Sequence, residues 1–298
     1  MKKSKVARFV AVFACAATLA VQLAAAQTHM QSASAVTYTF TGEALEGPEE
    51  LNAGFHTVTL QNDAESSLEI QIVRLGEGVS AEEIIAAFRE VDQAFGEEGD
   101  PVVVAINAAL QLGDLLGGPT AEGGESQSVG IPLTAGRYIV TGTVYQEGEE
   151  DGPPPAPSYF STMLNVTDGA EAQAPQADVT VRMVDFAFAL PPDIRAGEQT
   201  WEVVNVGEQI HHLVLMRLQE GKTMDDVMAF MESYEGEPPA DEVGHINVLS
   251  SGESNYATFD LTPGDYIALC FMPDHRGEAT GQPHVALGMM QSFTVAGE

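Results

Sequence analysis

The chain has 298 residues, 44% of them hydrophobic, with 13 Phe, 7 Tyr and 1 Trp, enough to build about two domains with cores of their own. Its 44 acidic residues against 12 basic ones give a net charge of −32. That excludes a direct grip on nucleic acid, which needs clustered Lys and Arg, and two cysteines exclude a disulfide-stapled scaffold.

The first element in chain order is an address. Lys2, Lys3, Lys5 and Arg8 precede an apolar run over 9–21 and then Ala24-Ala25-Ala26. A basic start, a short apolar stretch and small residues at the exit predict a signal peptide over 1–26, hence a periplasmic or extracellular protein. The run is shorter than the roughly 20 residues of a membrane span, so no stable membrane insertion is expected after cleavage. Cleavage also removes Cys15, leaving Cys270 as the single cysteine of the mature chain. A lone thiol in an oxidising compartment has to be buried or bound.

The remainder repeats itself. Ala53-Gly54, Thr57, Asn62, Arg74-Leu75 and Gly78 recur 143 residues later as Ala196-Gly197, Thr200, Asn205, Arg217-Leu218 and Gly221. Leu133-Thr134-Ala135-Gly136-Arg137-Tyr138-Ile139 recurs 128 residues later as Leu261-Thr262-Pro263-Gly264-Asp265-Tyr266-Ile267. The repeat predicts two domains of one plan, over 36–166 and 179–296. They are joined by an Ala/Gln/Gly/Pro-rich linker over 167–178.

Within each copy the β-favouring runs are short: 57–61, 68–75 and 138–144, then 201–205, 213–218 and 266–271. Separated by Gly- and Pro-bearing turns, they predict an all-β chain of two tandem Greek-key β-sandwich domains. One short helix interrupts each copy, opened by the capping boxes Ser80-Ala81-Glu82-Glu83 and Thr223-Met224-Asp225-Asp226. The acidic, proline-bearing run 146–157 predicts a solvated loop.

Chemistry is expected where the two copies disagree. Leu68 aligns with His211, Gly142 with Cys270, Ser158 with His284 and Met163 with Met289, so His, Cys and His replace unreactive residues in the second copy alone. Strand parity puts Leu68, Ile70 and Ile72 on the buried face, hence His211 inward and His212 outward. A buried imidazole must satisfy its ring nitrogens. Two imidazoles, one thiolate and one thioether form a soft N/S set; trigonal His₂Cys with a weak axial Met is the ligand set of blue-copper sites. Zinc accepts His₂Cys but has little use for a thioether.

The second copy resembles a cupredoxin domain over about 179–295. Asn205-Val206-Gly207-Glu208-Gln209-Ile210-His211 resembles the loop that delivers the first histidine. Pro263-Gly264-Asp265-Tyr266-Ile267-Ala268-Leu269-Cys270 resembles the strand ending in the copper cysteine. His284-Val285-Ala286-Leu287-Gly288-Met289 resembles the closing loop. The resemblance implies a cupredoxin-like fold, with His211, Cys270 and His284 as equatorial ligands and Met289 as the axial one, holding one copper per chain. The first copy resembles it only without ligands. Thirteen residues separate Cys270 from His284, longer than the few usual in small blue-copper proteins, and His275 within the loop is a competing donor.

The reading that follows is single-electron transfer through type 1 copper, with an exposed imidazole edge as the exit and a redox partner of basic surface. A Cu(I)-handling protein that also uses Met272 and Met290, and a metal-free interaction module, are the alternatives. A non-enzymatic protein is expected: by analogy with the multicopper oxidases, which also join cupredoxin domains, a three-copper oxygen centre implies eight histidines in His-x-His pairs, and the chain has 7 histidines with no such pair.

Overall fold

The computed structural model describes residues 34–95, 100–146, 155–169, 173–233 and 235–297. The signal segment 1–26 and most of the run 146–157 lie outside them. Strands β1 (Ser34–Phe40), β2 (Leu45–Glu46), β3 (Glu50–Asn52), β4 (Gly54–Asn62) and β5 (Leu68–Leu75) come first. After helices α1 (Ala81–Ala94) and α2 (Asp100–Ala109) follow β6 (Gly113–Leu115), β7 (Thr120–Ala121), β8 (Ser126–Leu133), β9 (Gly136–Val144) and β10 (Ser158–Thr167). The second half holds β11 (Val179–Val184), β12 (Ala187–Ala189), β13 (Gly197–Asn205), β14 (His211–Leu218), helix α3 (Met224–Ser233), β15 (Ala240–Leu249), β16 (Ser254–Leu261), β17 (Gly264–Leu269) and β18 (Met290–Val295).

Alternation places these strands. Leu68, Ile70 and Ile72 of β5, and Leu213 and Leu215 of β14, are fully buried, as a period of two requires when one face meets a core. In each half one sheet packs on another to make a sandwich, and the fold is cupredoxin-like. The first half contributes a sheet in the order β3-β10-β9-β5-β6, and the second a sheet in the order β15-β14-β17-β18. The facing sheet is shared: β12-β11-β13-β16-β8-β4-β1-β2 runs through both halves, joined where Tyr256 of β16 pairs with Gly130 of β8.

The repeated residues have repeated duties. Asn62 Nδ2 donates to the carbonyls of Ser66 and Ala121, and Asn205 Nδ2 to those of Gln209 and Leu249 at 2.7 and 2.8 Å, so one buried amide pins the same loop in each half. The Tyr138 hydroxyl donates to Thr134 O and that of Tyr266 to Thr262 O, both at 2.8 Å, closing one tyrosine corner per sandwich.

The helices depart from expectation in one respect: the first half has two. Ser80 caps α1 through the predicted box, with Glu83 N donating to its Oγ and Ser80 N to the Glu83 carboxylate. Helix α2 contains Val102-Val103-Val104, a β-favouring run by local propensity. Its helical state comes from packing: Val102, Ala105 and Ile106 close a buried cluster with Ala94 of α1 and with Ile210 of the second half, against which Met272 also packs. Pro101 at the first turn costs the helix nothing there.

Candidate metal centre

Four segments of the second sandwich converge at one end: the β11–β12 turn, the β13–β14 loop, the end of β17, and the loop 271–289. Among the described residues, His211, Cys270 and His284 form the one group of three or more His, Cys, Asp or Glu donors close enough to share a metal, all within 4.8 Å of one another. All three side chains are fully buried. His211 starts β14 on its inward face, Cys270 follows the last residue of β17, and His284 opens a 3₁₀ turn, His284–Leu287.

Hydrogen bonding sets the tautomers. His211 Nε2 lies 3.1 Å from Asp185 Oδ1, a carboxylate that only accepts, so Nε2 carries the proton and Nδ1 is bare. His284 Nε2 lies 3.3 Å from Gln209 Oε1. That atom is fixed as the amide oxygen because His275 N–H donates to it at 2.8 Å, while Gln209 Nε2 donates to Asp274 Oδ1 at 3.1 Å. His284 Nδ1 is therefore bare as well.

Two nitrogen lone pairs thus face each other across 3.1 Å, with Cys270 Sγ 3.8 Å from His211 Nδ1 and 3.5 Å from His284 Nδ1. Like lone pairs at that separation repel unless a cation lies between them. A point in the plane of the three atoms is equidistant from them at about 2.0 Å, close to the roughly 2.0–2.3 Å of metal–nitrogen and metal–sulfur bonds. The donor set fits one copper ion.

Burial sets the charge state before any metal arrives. It pushes the Cys270 thiol up to about 12, so the thiol keeps its proton until a metal displaces it. Burial, with the nearby His211 and His275 acting the same way, pushes His284 down to about 3; burial also pushes His211 down, against the pull of Asp185. Asp185 itself is held below the usual carboxylate range: burial opposes its charge, but the N–H groups of Gln209 and Glu208 and the His211 ring favour it.

Met289 is fully buried, with its N–H donating to His284 O at 2.8 Å and its carbonyl accepting from Cys270 N at 3.2 Å, so its backbone ties the two donor segments together. The competing donor is committed elsewhere. His275 Nε2 accepts from Ile210 N–H at 3.1 Å and its Nδ1 faces Asn107 Oδ1 at 3.3 Å.

Two expectations are corrected here. His212 is half-buried rather than at the surface, because Phe271 covers the outward face of β14: its ring packs edge-on at 5.9 Å and its N–H donates to His212 Nε2 at 2.7 Å. Neither His211 nor His284 presents an exposed imidazole edge. Phe186 stands edge-on to His284, centroids 5.2 Å apart, and is half-buried itself.

Sequence reasoning missed Asp185, Phe186, Gln209 and Asn107. Gln209 lay inside the loop already singled out. Asp185 and Phe186 had a weak signal, since 143 residues earlier stand Gly42 and Glu43, which have no comparable duty. Phe186 has φ 63°, the one non-glycine positive φ among the described residues. Such a conformation costs on the order of 1–3 kcal/mol and persists only where the surroundings impose it.

No family model matches the chain, and no curated protein matches it. Solved structures do. Auracyanin from the photosynthetic bacterium Roseiflexus castenholzii aligns at 24% identity over 40% of this chain and 95% of its own, TM-score 0.27. A multicopper oxidase from Campylobacter jejuni aligns at 10% identity over 90% of this chain and 65% of its own, TM-score 0.26. A copper-containing nitrite reductase from Thermus scotoductus aligns at 14% identity over 89% of this chain and 68% of its own, TM-score 0.22. The expectation of a non-enzymatic protein does not stand: two of these three are enzymes. Counting histidines within one chain was too narrow a basis for it.

Proposed function

We propose that this is an exported copper protein that would pass single electrons through one type 1 copper, held by His211, Cys270 and His284 with Met289 as the fourth donor. The observation that carries the reading is the convergence of two bare imidazole nitrogens and one sulfur on a buried point with sides of 3.1, 3.5 and 3.8 Å. Copper bound there supplies a one-electron change of state. The chain's own part is to hold the donors still. Asp185 orients His211, Gln209 orients His284, and Phe186 keeps water from the second ring, so little has to move between oxidation states. The net charge of −32 favours a basic redox partner; association that slows with added salt is the signature of that steering.

The test is metal analysis and a visible spectrum of the mature protein loaded with Cu(II). An intense blue colour at one copper per chain is expected, and Cys270→Ser should abolish it while circular dichroism stays unchanged. Copper bound without colour would favour storage or delivery of Cu(I), and failure to bind copper would end the reading.

A further inference from the structure

Among the described residues the first half adds no donor to the His211, Cys270 and His284 group, yet one of its side chains reaches the loop that closes the site. Asn107, on α2, donates from Nδ2 to His275 O at 2.8 Å, and its Oδ1 accepts from His275 Nδ1 at 3.3 Å. That second bond has a determined direction: His275 Nε2 already accepts from Ile210 N–H, so Nδ1 holds the ring's proton. One amide thus grips one histidine by its backbone and its ring. His275 in turn touches both donor segments. Its ring anchors Ile210, the residue before His211, and its N–H donates to Gln209 Oε1, the atom that orients His284. Beneath these bonds, Val102, Ala105 and Ile106 of α2 pack on Ile210 and Met272.

We infer that Asn107 is a positioning residue for the metal centre, and that the ligand-free half serves as the brace that holds the long loop 271–283 in its closed form. The physical case is the length of that loop. Thirteen residues between Cys270 and His284 have many conformations to lose, and closing them costs entropy that grows with length. The two arms of the loop are already bonded to each other, His284 N–H to Met272 O and Asp274 N–H to Gln282 O, both at 2.8 Å, and the outside anchor at His275, five residues after Cys270, ties that closed base to the first half. The inference rests on the copper reading for its functional meaning, but the brace exists in the metal-free protein.

The test therefore has two arms on the full-length mature chain, comparing wild type with Asn107→Ala, Asn107→Asp and the exposed control Val104→Ala. In the metal-free protein, hydrogen exchange at the amides of Ile210 and His275 should speed up about tenfold in Asn107→Ala while the strands keep their protection. In the copper-loaded protein, affinity in Asn107→Ala should fall by roughly 10–100-fold, the scale set by outer partners of metal ligands, with a shifted reduction potential. Asn107→Asp keeps an acceptor for the His275 ring and should recover part of both effects. Val104→Ala should match wild type. Unchanged exchange in Asn107→Ala, or protection lost uniformly across the chain, would overturn the inference. Wild type that binds no copper would sink the functional reading alone, since the exchange arm still decides whether the brace exists.

Discussion

A carboxylate and an amide decide how the two imidazoles present themselves. Asp185 Oδ1 faces His211 Nε2 and also accepts from the N–H groups of Glu208 and Gln209 at 2.9 and 3.1 Å, so one side chain sets a ring orientation and a loop conformation together. Asp185→Ala removes both. It should weaken copper binding by roughly 10–100-fold, measured by competition with a chelator of known affinity, and leave the secondary structure intact. Affinity equal to wild type would mean that burial alone orients His211. His211, Cys270 and His284 were singled out by comparing the two repeated stretches of sequence, and the structure brings the three together. Asp185 and Gln209 were not legible in the sequence, because polar residues in loops are common and only their distances reveal a shared duty.

Helix α1 lies along β10, and Asp92 receives the Tyr159 hydroxyl across that contact. Burial, reinforced by the charge of Glu69, raises the Asp92 carboxyl from its ordinary 3.8 to about 7. The folded state then holds a proton that the unfolded chain has already released. The stability this contributes is complete below about pH 4 and is lost as pH rises toward about 7. Asp92→Asn has no proton to lose. Its melting temperature relative to wild type should climb between about pH 4 and pH 8, and a constant difference across that range would refute the assignment. Elements were unevenly legible. The strand periods and both capping boxes could be seen in the residue order, whereas α2 could not: its valines favour a strand, and packing on Ile210 and Met272 outweighs that preference.

One sheet and one core run through both halves. Arg74 of β5 pairs with Glu253, just before β16, and Asn247 Nδ2 donates to Ile70 O and Gly118 O at 3.0 Å. At the sheet junction Gly130 has no room for a side chain: a Cβ there would stand 2.2 Å from Phe55 Cζ and 3.0 Å from Tyr256 Cβ. Gly130→Ala should cost about 1–3 kcal/mol, as overpacking does, and lower the melting temperature of the whole chain in one transition. A transition that splits in two would show that the halves melt separately.

Residue order alone was enough for the mostly β plan, the buried parity of β5 and β14, and the donors to examine, since hydrophobic period is a local property. The continuous sheet, the helical state of α2, the shielding of His284 by Phe186 and the reach of Asn107 into the other half belong to the folded molecule. Each depends on contacts between segments far apart in the chain, and such contacts leave no periodic trace for a reader of the sequence to find.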